Sequence, residues 1–71
     1  MVYLRTQNEE IVIDMTRCTS VVAENGDVYA NVENGTSFLL GKYKSQERAK
    51  DVIGEIYAIL DVTSRYDMPI V

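Results

Sequence analysis

The sequence predicts an α+β fold: a small antiparallel β-meander of four or five strands, followed by one amphipathic α-helix packed on one face. Three observations carry this. Asn-Gly steps at Asn25-Gly26 and Asn34-Gly35 each sit between β-rich runs. Asn-Gly suits tight hairpin turns, because both central residues of a type I′ turn need positive φ. Beyond the strands, Ala49, Val52, Ile53, Ile56, Leu60 and Thr63 recur at spacings of three and four and form one apolar stripe.

The elements follow in chain order. VYLRT reads as a first short strand, QNEE as a polar turn, and IVIDM as a second strand. SVVAE and DVYANVE then flank the first Asn-Gly step, and YANVE and TSFLLG flank the second. Pairing Glu24 with Asp27 puts Ala23 opposite Val28, Val21 opposite Ala30 and Thr19 opposite Val32. Pairing Glu33 with Thr36 puts Ala30 opposite Leu39 and Val32 opposite Ser37. On this register one face carries Val21, Ala23, Val28, Ala30, Val32 and Leu39. The other carries Cys18, Val22, Tyr29, Phe38 and Leu40. Both are substantially apolar, whereas a sheet wetted on one side should alternate apolar and polar.

Ser45 is a suitable N-cap, and Glu47 sits in the first turn, where the helix dipole favours a carboxylate. The helix is expected over about residues 46–61, with Lys50, Gly54, Tyr57 and Asp61 opposite its apolar stripe. The tail, 64–71, holds the only proline, Pro69, so the helix has ended before it. Its Tyr66, Met68, Ile70 and Val71 predict docking onto the body. The strands fall within about residues 2–41, and residues 1–71 form a single domain.

One helix covers one face of such a sheet. The remaining face, with Val22, Tyr29, Phe38 and Leu40, is therefore expected to be a self-interface, most simply in a two-fold dimer. Size points the same way. A chain of 71 residues has a marginal core. Its single cysteine, Cys18, forms no internal disulfide, and with no histidine a zinc site lacks its common ligands.

Composition also bears on function. The net charge of −4, from 11 acidic and 7 basic residues, argues against nucleic-acid binding, which relies on Lys and Arg. The apolar runs are far too short to span a membrane. MVYLRTQNEE lacks a secretory pattern, so a cytoplasmic chain is expected and Asn34-Gly35-Thr36 reads as a turn rather than a glycosylation site. Without histidine, no hydrolytic triad is arranged around a serine or Cys18, and Cys18 reads as a small apolar side chain. Asn25-Gly26-Asp27 lacks the other positions of a calcium loop. Catalysis is the least expected class, and no cofactor or metal is expected.

The exception is Gly41 to Lys50. Lys42, Lys44, Arg48 and Lys50 are four of the seven basic residues. They lie beside a helix start, where free N–H groups attract anions. The first reading of this segment is a strand stop and helix cap. The second is an anion site formed by Lys42, Lys44, Ser45 and Arg48, without the glycine spacing of a P-loop. Tyr57, with Asp51 and Glu55, is a further candidate surface for a partner.

Leu4, Thr6, Gln7, Leu40, Gly41, Tyr43, Ser45, Glu47, Arg48, Ala49, Val52, Glu55 and Ile56 together follow a pattern. In this pattern the chain opens with "L.TQ" and closes with "LG.Y.s.eRA..vl.eI". It resembles small proteins of Firmicutes phages, prophages and other mobile elements, over roughly residues 3–60. Most of those proteins have no assigned activity. The resemblance implies a phage accessory role: a non-enzymatic protein that binds and blocks a host protein, such as a bacterial immune component, in an infected or lysogenic cell. Alternatives are a sponge for a small anionic nucleotide signal, using Lys42, Lys44 and Arg48, and a structural subunit of a phage particle.

Overall fold

The computed structural model describes residues 2–60, 62 and 64–71. The chain is α+β, and among the described residues it has six short strands, one turn of 3₁₀ helix and one α-helix. β1 (Tyr3–Arg5) and β2 (Val12–Asp14) form an antiparallel pair. One turn of 3₁₀ helix at Met15–Arg17 leads into β3 (Cys18–Glu24), which pairs antiparallel with β4 (Asp27–Val32). β5 (Ser37–Lys42) completes that sheet, α1 (Gln46–Ile59) follows, and β6 (Arg65–Asp67) ends the order. The strands form two three-stranded sheets, β3-β4-β5 and β2-β1-β6.

The second sheet is closed by the tail. β6 runs parallel to β1, with Tyr3 opposite Arg65 and Arg5 opposite Asp67. Main-chain bonds from Tyr3 N to Ser64 O and from Met68 N to Arg5 O extend the pairing beyond the strand ends. The docking expected from Tyr66 and Met68 is present, with Met68 buried. The QNEE segment is the turn between β1 and β2. There the buried Thr6 bonds Ile11 and Asn8, and Glu9 takes a positive φ of 63°.

The first Asn-Gly turn has the expected form. Asn25 and Gly26 both have positive φ, and the register runs from Glu24–Asp27 through Val21–Ala30 and Ser20–Asn31. A bulge then puts Cys18, not Thr19, opposite Val32. This turns Cys18 against the core beside Met15, correcting the placement on the opposite face.

The second turn differs by one residue. Val32 N bonds Thr36 O and Gly35 N bonds Val32 O, so the loop is three residues long, with Gly35 in the left-handed region. This is the alternative hairpin closure, a type I turn followed by a glycine. Asn34 Oδ1 accepts from Thr36 N, so the asparagine stabilises the loop rather than occupying a type I′ position. The pairs become Asn31–Ser37, Ala30–Phe38 and Tyr29–Leu39. A further irregularity restores the expected offset at Val28–Gly41. Shifting a strand by one residue exchanges its faces. Phe38 and Leu40 therefore turn toward the core, and Leu39 takes the opposite face.

In α1, Ser45 Oγ accepts from Arg48 N at 3.1 Å, which is the expected N-cap. Ala49, Val52 and Ile56 are buried, and Ile53 packs beside them. Leu60, expected in the same stripe, is exposed because the helix ends at Ile59. The expectations for Asp61 and Thr63 lie outside the described residues. The helix packs over β3 and β4. Gln46 joins its start to the first hairpin, donating to Ala23 O and accepting from Gly26 N. Leu4 and Ile13 from one sheet, Val28, Ala30 and Leu40 from the other, and the helix stripe share a single core.

Candidate functional site

The outer face of the β3-β4-β5 sheet is built of three cross-strand rows. Ser20, Asn31 and Ser37 form a polar row, in which Asn31 Nδ2 donates to Ser20 Oγ and Ser37 Oγ donates to Asn31 Oδ1. Val22, Tyr29 and Leu39 form the next row, directly opposite one another in the register. Glu24, Asp27 and Lys42 form the third. Val22 is 38% exposed and Leu39 40%, with Tyr29 half-buried between them. The Tyr29 hydroxyl donates to Asp27 Oδ2, and burial, then Asp27, pushes its pKa upward.

Two of the four expected self-interface residues are thus on this face, and two are not. Leu40 is 1% exposed and Phe38 packs against the core, so neither lies on this outer face. Leu39 stands where they were expected.

The basic joint between β5 and α1 is more elaborate than its sequence suggests. Lys42, Tyr43, Lys44 and Arg48 line one surface groove of about 670 Å³, together with Ile70 and Val71 of the tail. Ser45, the fourth expected anion-binding residue, also borders it. Its hydroxyl, however, already caps the helix at Arg48 N. Arg48 is also engaged: Nε and Nη2 donate to Val71 O at 3.2 and 2.9 Å, and Nη1 pairs with Glu55 at 3.2 Å. The guanidinium lies 5.8 Å from the centre of the Tyr43 ring. Of the three basic residues among the four, Arg48 is ion-paired, while Lys42 and Lys44 are in none of the ion pairs found among the described residues.

Gln7 is the residue that sequence reasoning passed over. Its Nε2 donates to Lys42 O, Pro69 O and Ile70 O, while its Oε1 accepts from Lys42 N. One carboxamide thus joins β5 to the tail. Tyr43 Oη donates to Pro69 O at 2.8 Å, and Tyr66 Oη donates to Glu55 at 2.8 Å. Burial raises the pKa of both tyrosines, and the Glu55 carboxylate raises Tyr66 further. A Cβ on Gly41 would fall 2.8 Å from Tyr43 Oη, so the absent side chain leaves room for that ring to cross the strand. The signal that could have found Gln7 is the family-like pattern, since Gln7, Tyr43, Arg48 and Glu55 all belong to it and all meet at the tail.

The third candidate surface divides. Asp51 and Tyr57 are exposed, but Glu55 is held by Arg48 and Tyr66. Tyr57 instead borders an apolar groove of about 280 Å³ between α1 and β3, with Met15, Val21, Ile53 and Leu60. Cys18 borders it too, its thiol pKa raised by burial and by Asp14, the opposite of what a nucleophile needs. Among the described residues no three acidic, cysteine or histidine side chains form a metal-ligand cluster. Among the same residues no helix is long and apolar enough to cross a membrane.

Comparison of the chain with models of protein families, with characterised proteins and with solved structures finds no match in any of the three.

Proposed function

We propose that this chain is a non-enzymatic binding protein that pairs with a second copy and, as a pair, engages and blocks a protein partner. The observation that carries the reading is the Val22-Tyr29-Leu39 row, apolar and accessible across all three strands of a sheet whose other face is already covered. Contiguous apolar groups of this kind mark interaction surfaces. A sheet face meeting its own copy about a two-fold axis presents the same row twice. The row is small, so the expected association is weak. The resemblance to small phage and mobile-element proteins supports an accessory role against a host factor in the bacterial cytoplasm.

Light scattering coupled to size exclusion at tens of micromolar tests this. The expected mass is twice the 8.0 kDa of one chain, and the double variant Tyr29→Ser/Leu39→Ser should be monomeric with unchanged circular dichroism. A wild-type protein that stays strictly monomeric overturns the reading.

A further inference from the structure

The tail is held in an unusual way. Pro69 O accepts from Gln7 and Tyr43, Ile70 O from Gln7, and Val71 O twice from Arg48. All five bonds grip the main chain. The side chains they position, Ile70 and Val71, are 74% and 84% exposed. Ordering a residue costs backbone entropy, and here no burial of those two side chains offsets it. The bonds fix apolar groups at the surface instead of packing them away.

The same groove is lined by Lys42 and Lys44, both exposed, with half-buried Tyr43 between them in sequence. Arg5, Arg17 and Arg48 are all paired with carboxylates of the chain itself, whereas these two lysines are in none of the ion pairs among the described residues. In a chain of net charge −4 they are the two lysines that line this groove. The groove thus offers cations from one segment and aliphatic groups from another. An extended peptide also has two kinds of side, because successive side chains point oppositely and alternate ones recur at roughly 6.6 Å. Carboxylates at alternate positions would face the lysines, and apolar side chains between them would face Ile70 and Val71.

We infer that this groove docks an extended acidic–apolar segment of a partner protein. The inference rests on the partner-binding reading above and names the segment bound. A nucleotide fits less well, because the Arg48 guanidinium and the Ser45 cap that would hold a phosphate are already bonded within the chain.

The test uses the full chain and a fluorescein-labelled peptide of alternating glutamate and leucine, read by anisotropy. Saturable binding is expected. Lys42→Glu/Lys44→Glu should weaken it by about tenfold or more, since like charges then face each other. A glutamine-for-glutamate peptide should lose a similar factor. Ile70→Ser/Val71→Ser should weaken it several-fold while leaving the thermal midpoint in place, since those side chains are exposed. No saturation up to about 1 mM, or affinity indifferent to the lysine reversals, overturns the inference. So does tighter binding of inorganic phosphate or a cyclic nucleotide at the same lysines, which would make the groove a small-anion site. If the lysine reversals instead convert a dimer to monomer, the occupant is a second copy, and the inference also fails. A wild-type protein that dimerises through Tyr29 and Leu39 yet binds no peptide refutes the groove alone. A monomeric wild type that still binds the peptide refutes only the outer-face dimer.

Discussion

The two three-stranded sheets are built on opposite principles. In β3-β4-β5 every neighbour in space is a neighbour in sequence, and turns of two and three residues set the pairing. In β2-β1-β6 the central strand pairs on one side with a strand that lies 62 positions further along, as the Arg5–Asp67 ion pair also shows. The first sheet has strands of six and seven residues, and the second has strands of three. A three-residue strand carries few ladder bonds, so the second sheet depends on its buried side chains and on side-chain bridges to the tail. The hairpin sheet is specified locally, and the closing sheet is specified by packing.

Four substitutions probe that difference, in decreasing order of expected effect. Leu4 is fully buried at the middle of β1 and belongs to the core shared by both sheets. Leu4→Ala should cost about 2–5 kcal/mol, a large part of the stability of a domain this small. Urea unfolding followed by circular dichroism should show most of the folded baseline lost. A change under 1 kcal/mol (roughly the cost of a surface substitution) would mean that the closing sheet contributes little.

The two turn glycines separate φ from crowding. Gly26 has φ of 87°, and an added Cβ would lie 2.7 Å from the Tyr43 carbonyl oxygen. Gly35 has φ of 91°, and an added Cβ there meets nothing. Gly35→Ala should cost about 1–2 kcal/mol from the left-handed conformation alone. Gly26→Ala should cost clearly more, because main chain must also shift. Thermal midpoints of the two variants should differ by several degrees; equal midpoints would remove the Tyr43 contact as a constraint on the first hairpin.

The smallest effect at neutral pH is expected at Tyr66, and it grows in alkali. Burial and the Glu55 carboxylate raise its pKa above the ordinary 10.0. The unfolded chain then loses this proton first as pH rises, so stability is intact below pH 10 and falls above it. Tyr66→Phe should flatten that decline without abolishing it, since Tyr43 and Tyr29 are shifted the same way. Urea midpoints measured from neutral to alkaline pH give the slope, and identical slopes in both proteins would mean that Tyr66 is not protected.

Much of the hairpin sheet and helix was legible because their signals are short-range. Asn25-Gly26 sets both φ values of its turn, Ser45 caps the helix, and Ala49, Val52 and Ile56 lie along its buried stripe. The second turn shows the limit: Asn34-Gly35 closes equally well as a two- or a three-residue loop. The choice moved Phe38 and Leu40 to the core and Leu39 to the surface. Half of the expected self-interface changed with that one residue. At the basic joint the four expected residues do line one groove. No local rule, however, could show that Val71 and Glu55 already engage Arg48, or that a glutamine in a polar turn would reach the tail.

The parallel pairing of β1 with β6 also has a consequence for the chain as it is made. Tyr3 to Arg5 are synthesised before their partners Arg65 to Asp67, which come after the hairpins and the helix. Loop-closure entropy must be met before such a distant contact forms. During synthesis the hairpins can form as soon as they emerge, but β1 keeps one unpaired edge until the tail arrives, and open edges invite pairing with other chains. A ribosome stalled before residue 65 would thus carry a nascent chain prone to association.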